Sequence, residues 1–195
     1  MNYLSLSLIV VYTVFFSERM RLIEKTGKKF RYILLWGIAL MFFGCSISRH
    51  IENIKSKEVY ETLGLNKDRK DNFALYKEAA VWLHVPHVEG GTSHNGIDCS
   101  FLVFTIYKTV YNKTLERNSA AILKKNCKRI SRKKFKEGDL VFFNTNGKSK
   151  LHVNHVGIYL KDHKFLHAST SKGVIVSDLD EIFYIKAFIC GGRVK

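Results

Sequence analysis

The spacing of apolar residues changes near residue 126, and that change limits the possible folds more than any other feature of the chain. Before it, Phe73, Tyr76, Ala80 and Leu83 recur at helical spacing behind Asp71-Asn72, a pair suited to capping, and Pro86 ends the element. The nearly unbroken apolar stretch from Phe101 to Val110 reads as a helix buried on most sides, and Asn118-Ser119 opens a shorter helical stretch ending near Lys125. Beyond it the period falls to two. Asp139 to Phe143, Val153 to Leu160, Lys164 to Ala168, Gly173 to Ser177 and Tyr184 to Cys190 read as strands separated by Gly, Asn, Asp, Lys and Ser turns. Helices followed by a run of strands predict an α+β fold in which an antiparallel sheet packs on a central helix.

Gly96-Ile97-Asp98-Cys99-Ser100 runs straight into the apolar helix, with Gly90-Gly91 and Asn95-Gly96 bracketing the turn before it. Cys99 therefore sits where a buried helix begins, and the free amides and positive dipole end there favour a thiolate. His155 and His167 lie within strand patterns downstream. A cysteine nucleophile, a histidine base and a second histidine to orient it make up the machinery of acyl transfer. His155 would hold the thiolate as an ion pair and later protonate the leaving amine, and His167 would hold the far imidazole nitrogen. His155 shares a strand face with Val153, Gly157 and Tyr159. If that face meets the buried helix, His155 points at its N-terminal end and Gly157 leaves room for close packing.

Lys28-Lys29-Phe30-Arg31, the apolar run from Tyr32 to Gly44 and then Cys45-Ser46 have the layout of an export signal. Gly44 is the small residue that a lipoprotein signal peptidase requires, so Cys45 would carry the lipid; an uncleaved signal anchor is the alternative. The earlier apolar run from Leu4 to Phe16 fits translation from Met20, or else a membrane hairpin. The expected organisation is a targeting segment over 1–45, a polar tether with one marginal helix over 46–70, and a catalytic domain over 71–195. Cys127 and Cys190 read as buried thiols or as one disulfide.

With 195 residues and 46% hydrophobic content, the chain has room for one ordinary domain and an appendage. Its 32 Lys and Arg against 17 Asp and Glu give a charge of +15, which would attract nucleic acid, anionic lipid headgroups or an acidic polymer such as a bacterial cell wall, and charge alone does not choose among them. Zinc-finger, RRM-like and basic-zipper patterns are missing, which argues against nucleic acid. His152 and His155 form H-x-x-H, but residues three apart on a strand face opposite ways, and no carboxylate accompanies them, so neither a metal nor another cofactor is expected.

The ordered landmarks Gly90-Gly91, Gly96 to Ser100, Arg117-Asn118-Ser119, Glu137 to Phe143, His155 to Tyr159 and Phe165 to Val174 resemble the NlpC family of papain-like cell-wall cysteine peptidases. The resemblance spans about Asn72 to Arg193, and Cys45 is similar to the lipid-attachment cysteine of the family's lipoprotein members. It implies a papain-like α+β hydrolase of peptidoglycan stem or cross-link peptides, with Cys99, His155 and His167 as its triad and the Cys99 amide in the oxyanion hole. It also implies a monomer in the cell envelope, held by lipid and facing the periplasm from the outer membrane where the cell has two membranes. Asp98 and Ser100 would line the substrate groove or cap the helix. Two residues depart from the family pattern. His87 stands where a tyrosine is usual and could offer one N–H to the oxyanion, and Phe101 replaces the glycine that often follows Asp-Cys-Ser. Other readings are an amidase or acyltransferase on another acyl group, and a murein-binding lipoprotein with weakened catalysis.

Overall fold

Asp98 starts the helix around which the domain is built. The computed structural model describes residues 55–147 and 152–195, so Cys45 and the whole targeting segment lie outside the described residues. Residues 55–62 are helical, the one helix expected in the segment read as a tether; after them come α1 (Phe73–Trp82), a short hairpin of β1 (Thr92–Ser93) and β2 (Gly96–Ile97), and α2 (Cys99–Tyr111). Asp98 is extended, and its carboxylate accepts the Phe101 N–H at 2.7 Å, so the N-terminal turn of α2 is capped from the residue preceding Cys99. Asn112 closes the helix in the left-handed region. Leu102, Val103, Ile106 and Tyr107 form its buried side, while Phe101, Phe104 and Val110 are only half-buried. The apolar run is thus one broad face and not a helix enclosed on most sides.

After α2 come α3 (Ser119–Ala121), continued by a π-helical turn at Ile122–Asn126, and the strands β3 (Cys127–Ile130), β4 (Leu140–Phe143), β5 (His155–Tyr159), β6 (Lys164–Ser169) and β7 (Gly173–Asp178). Helix α4 (Ile182–Ala187) leads into β8 (Phe188–Val194). The strands form one antiparallel six-stranded sheet in the order β3-β8-β4-β5-β6-β7. The α+β architecture is the one the change of period predicts.

Alternation along the strands divides the apolar residues between two cores. Leu140, Phe142, Val156, Ile158, Leu166, Ala168 and Val174 pack with the buried side of α2. Val141, Phe143 and Phe165 pack on the other face with Leu179, Tyr184 and Ala187, the last two from α4. Phe143 pairs with His155 and Val141 with Gly157, so the His155 and Gly157 face meets the second core and not α2, contrary to the sequence expectation. The physical reason is that Val156 and Ile158 are also fully apolar and take the helix side, a choice that the near-continuous hydrophobicity of this strand conceals. Gly157 does serve close packing, against the neighbouring strand: a Cβ there would lie 2.7 Å from Phe165 Cδ2 and 2.8 Å from the Leu166 carbonyl oxygen.

Other expectations are corrected as well. Tyr184 to Ala187 is helical, because Tyr184 and Ala187, three apart, bury one side of α4 while Ile182, Phe183 and Ile185 stay exposed; tertiary packing overrides β propensity. Helix α1 buries Leu75, Tyr76, Ala79 and Trp82, a face rotated from the one expected, and it ends at Trp82, well before Pro86. Asn72 occupies its N-cap position, but its side chain makes no capping bond to the helix. Strand β3, read as part of no strand, pairs with β8. The end of the segment read as a tether joins the main core through Tyr60, Leu63 and Leu65. Cys127 and Cys190 are free thiols: Cys127 pairs with Val194 and Ile130 with Gly191, which sets Cys190 beyond the far end of β3.

Because the Leu166 carbonyl is backbone and cannot move aside alone, Gly157→Ala should destabilise the domain by about 1–3 kcal/mol through overpacking. Urea unfolding measures this, and a loss within about 0.5 kcal/mol, the range of neutral surface changes, would contradict the close β5–β6 approach.

Candidate active site

Cys99 is the first residue of α2, and the hairpin before it is tied down on both sides. Its turn residue His94 stacks on Trp82 of α1 at 4.0 Å between ring centroids, while the Ile97 N–H donates to the Pro86 carbonyl at 3.0 Å. His87 bridges to Ile97 in parallel and lies close enough to His155 to act on its charge. The Val156 backbone N–H points at the Cys99 sulfur, as do the amides of Cys99 and Ser100 at the helix start. The residue before Val156 is His155, so the amide that acts on the Cys99 sulfur and the buried histidine are neighbours along β5.

His155 Nε2 lies 2.9 Å from His167 Nδ1, and both rings are buried. This bond occupies the Nε2 edge of His155 and leaves Nδ1 as its other nitrogen. The far nitrogen of His167, Nε2, lies 3.1 Å from Ser177 Oγ and 3.0 Å from the Tyr184 hydroxyl. Ser177 in turn donates to Tyr184 at 3.3 Å. Phe165 stacks on His167 at 4.8 Å, and Tyr184 meets the same ring edge-on. The sequence reading missed Ser177 and Tyr184. A serine among apolar residues of a buried strand was the available signal, but Tyr184 carried none once it was taken for a strand residue.

Asp98 and Ser100 flank Cys99 as helix-start residues. Ser100 Oγ lies 2.7 Å from Asp98 Oδ1 and 2.9 Å from the Arg117 carbonyl oxygen, and Asp98 also carries the cap. Both are thereby engaged in structure, the capping alternative for these two residues. Arg117 is 3.6 Å from the Asp98 carboxylate, and its guanidinium lies over the Phe101 ring at 4.1 Å from the centroid. The Phe101 phenyl group is therefore the platform for a cation two residues from Cys99. His152 is exposed and His155 buried, so the H-x-x-H pair does not converge on one point.

Burial governs the charges. Desolvation pushes the Cys99 thiol above its ordinary value, opposed by the amides of Val156, Ser100 and Cys99 and aided by the Asp98 charge. The same effect lowers His155 to about 4, with nearby His87 adding to it, and holds His167 well below the usual imidazole range. Both shifts favour a neutral thiol beside a neutral imidazole over the ion pair expected from the helix dipole. The dipole contribution is present, but removal of water from sulfur and ring outweighs it.

The model of the NlpC/P60 family matches residues 84–193. A probable endopeptidase NlpC homolog of Haemophilus influenzae is 35% identical over 121 residues, covering 62% of this chain and 60% of that protein. The murein DD-endopeptidase MepS/murein LD-carboxypeptidase of Escherichia coli K12 is 33% identical over 139 residues, covering 71% and 70%. Among solved structures, an NlpC/P60 family protein from Bacillus cereus superposes with a TM-score of 0.57 at 28% identity, covering 63% of this chain and 40% of that one.

The buried imidazoles make stability depend on pH. In the unfolded chain they titrate near their ordinary value of about 6.5, whereas the folded His155 takes a proton only near about 4. Between these values the unfolded state binds more protons, so stability is full above about pH 6.5 and falls as the pH drops towards 4, by about 3 kcal/mol for His155 alone. Thermal unfolding between pH 8 and 4 should show this decline, with a shallower slope in His155→Gln. A melting temperature unchanged across that range would contradict it.

Proposed function

The chain belongs to the NlpC/P60 family, and from that premise we propose that it is a cysteine endopeptidase that cuts stem or cross-link peptides of peptidoglycan in the cell envelope. The observations that support the reading are a helix-start cysteine whose sulfur is met by the Val156 amide and, one residue earlier in β5, a buried histidine whose Nε2 is held by a second histidine. The names of the relatives, an endopeptidase homolog and a murein DD-endopeptidase, support the substrate class.

In this scheme His155 Nδ1 takes the Cys99 proton as the sulfur attacks the scissile carbonyl. The neutral resting pair makes that transfer part of the attack, not a step completed beforehand. His167 fixes the orientation of His155 through the 2.9 Å bond and shares the charge that the ring gains. The carbonyl oxygen, negative in the tetrahedral intermediate, is met by the Cys99 amide and by one N–H of His87. Collapse gives a thioester and releases the amine, which carries away the proton held on His155. Water, deprotonated by the same ring, then hydrolyses the thioester and restores the thiol.

The first 45 residues serve as the targeting segment of this enzyme, with Cys45 as its lipid attachment point, so that it works as a monomer from a membrane surface facing the wall. The basic cluster, apolar run and Gly44-Cys45 junction support that assignment.

Digestion of muropeptides by the purified protein, read by mass spectrometry, tests the activity. New termini should appear with the wild type, vanish in Cys99→Ala, fall at least a hundredfold in His155→Ala and fall less in His167→Ala, which orients without transferring the proton; undiminished cleavage by Cys99→Ala would end the thiol mechanism. His87→Tyr tests the oxyanion role. It should change kcat by about tenfold with little effect on KM, because the contact is made to charge present only in the transition state. A variant with unaltered kcat would remove His87 from the reaction.

A further inference from the structure

The side chains beyond His167 form a closed set that the triad alone does not require. Its Nε2 faces two hydroxyls at 3.0 and 3.1 Å, these are 3.3 Å from each other, and all three residues are buried. The two hydroxyls arrive from separate elements. Ser177 lies on β7, opposite Phe165 and diagonal to His167, while Tyr184 comes from α4 on the second face. Phe165 and Tyr184 pack against the His167 ring as stack and edge, so the ring has little freedom to rotate.

From this arrangement we propose that Ser177 and Tyr184 are positioning residues of the cysteine–histidine site, their hydroxyls holding His167 Nε2 so that its Nδ1 stays directed at His155. The inference rests on the triad reading above. A hydroxyl both donates and accepts, unlike a carboxylate. For His155 Nδ1 to take the thiol proton it must be bare, so the proton of the neutral ring sits on Nε2 and is donated to His167 Nδ1. His167 then carries its own proton on Nε2 and donates it to one of the two hydroxyl oxygens. The tautomer with His167 Nε2 bare would place the His155 proton on Nδ1 and block the transfer, so hydroxyls that accept from Nε2–H select the competent arrangement. When His155 gains the thiol proton on Nδ1, the bonds from its Nε2–H onward keep the same atoms and directions. No carboxylate joins the set, so no negative charge competes with Cys99 for the proton on His155.

Two measurements decide it, one of them independent of any peptidoglycan substrate. The first is the rate of Cys99 alkylation by iodoacetamide across pH, with the histidine tautomers followed by ¹⁵N NMR. The second is kcat and KM on muropeptides. Tyr184→Phe and Ser177→Ala should each shift the alkylation profile and the His167 nitrogen signals, and should lower kcat about tenfold with KM within twofold. The double variant should lose less than the product of the single losses, since both hydroxyls act on one nitrogen. Ser177→Thr, which keeps a hydroxyl, should restore most of the rate, and it keeps the test open if Tyr184→Phe fails to fold.

Variants that unfold more easily yet alkylate and turn over like the wild type would show a purely structural role and overturn the proposal. If muropeptides are not cut by any form but the alkylation profile and nitrogen signals still shift, the positioning role stands and the substrate assignment falls.

Discussion

The hydrogen bond between His155 and His167 is the interaction on which the rest of the site depends. Two imidazoles facing one another at 2.9 Å in a buried setting are stable only when neutral or sharing a single positive charge, since two protonated rings would repel with no carboxylate in the set to offset them. Leaving either ring nitrogen unpaired would cost roughly 1–3 kcal/mol. That cost explains why the chain commits so much of one sheet face to them: Phe143, Phe165 and Tyr184 exclude water, and Ser177 and Tyr184 satisfy the outer nitrogen. A dry site strengthens each hydrogen bond but weakens the imidazole as a base at rest.

The sheet carries out this division by having two covered faces. Helix α2 lies against one and brings Cys99 to the end of the sheet; α4 lies against the other and shields the histidines. The two sets meet where β5 begins, at the amide of Val156. Neither face alone contains the chemistry. Gly157 lets β6 come close enough behind His155 for His167 to follow, and Gly138 serves the same economy of space at the far end of α2, where a left-handed turn brings its backbone against Tyr111. Nearby, Arg193 makes paired 2.7 Å bonds to the buried Asp139, tying β8 to the start of β4.

Two residues, His87 and Phe101, act on charges near His155 and Cys99. His87 beside His155 lowers the basicity of that ring, an influence that a tyrosine in the same place would not exert by charge. Phe101 holds the Arg117 guanidinium flat above its ring, within reach of Asp98.

The sequence by itself determined that helices precede a run of strands, that a cysteine stands at a helix start, and that two histidines lie on adjacent strands with a glycine between them. These follow from local rules: period, capping and turn residues act over a few neighbours. What only the tertiary structure decided is which face of β5 meets α2, that residues 182–187 form a helix, that β3 closes the sheet, and that Ser177 and Tyr184 complete the imidazole pair. A strand apolar on both faces carries no mark of its orientation, and a hydroxyl reaching across from another element leaves no periodicity to read. The charge state of the site belongs to the same group. Position at a helix N-terminus is local and favours the thiolate, whereas desolvation is a property of everything packed around the sulfur, and here it is the larger effect.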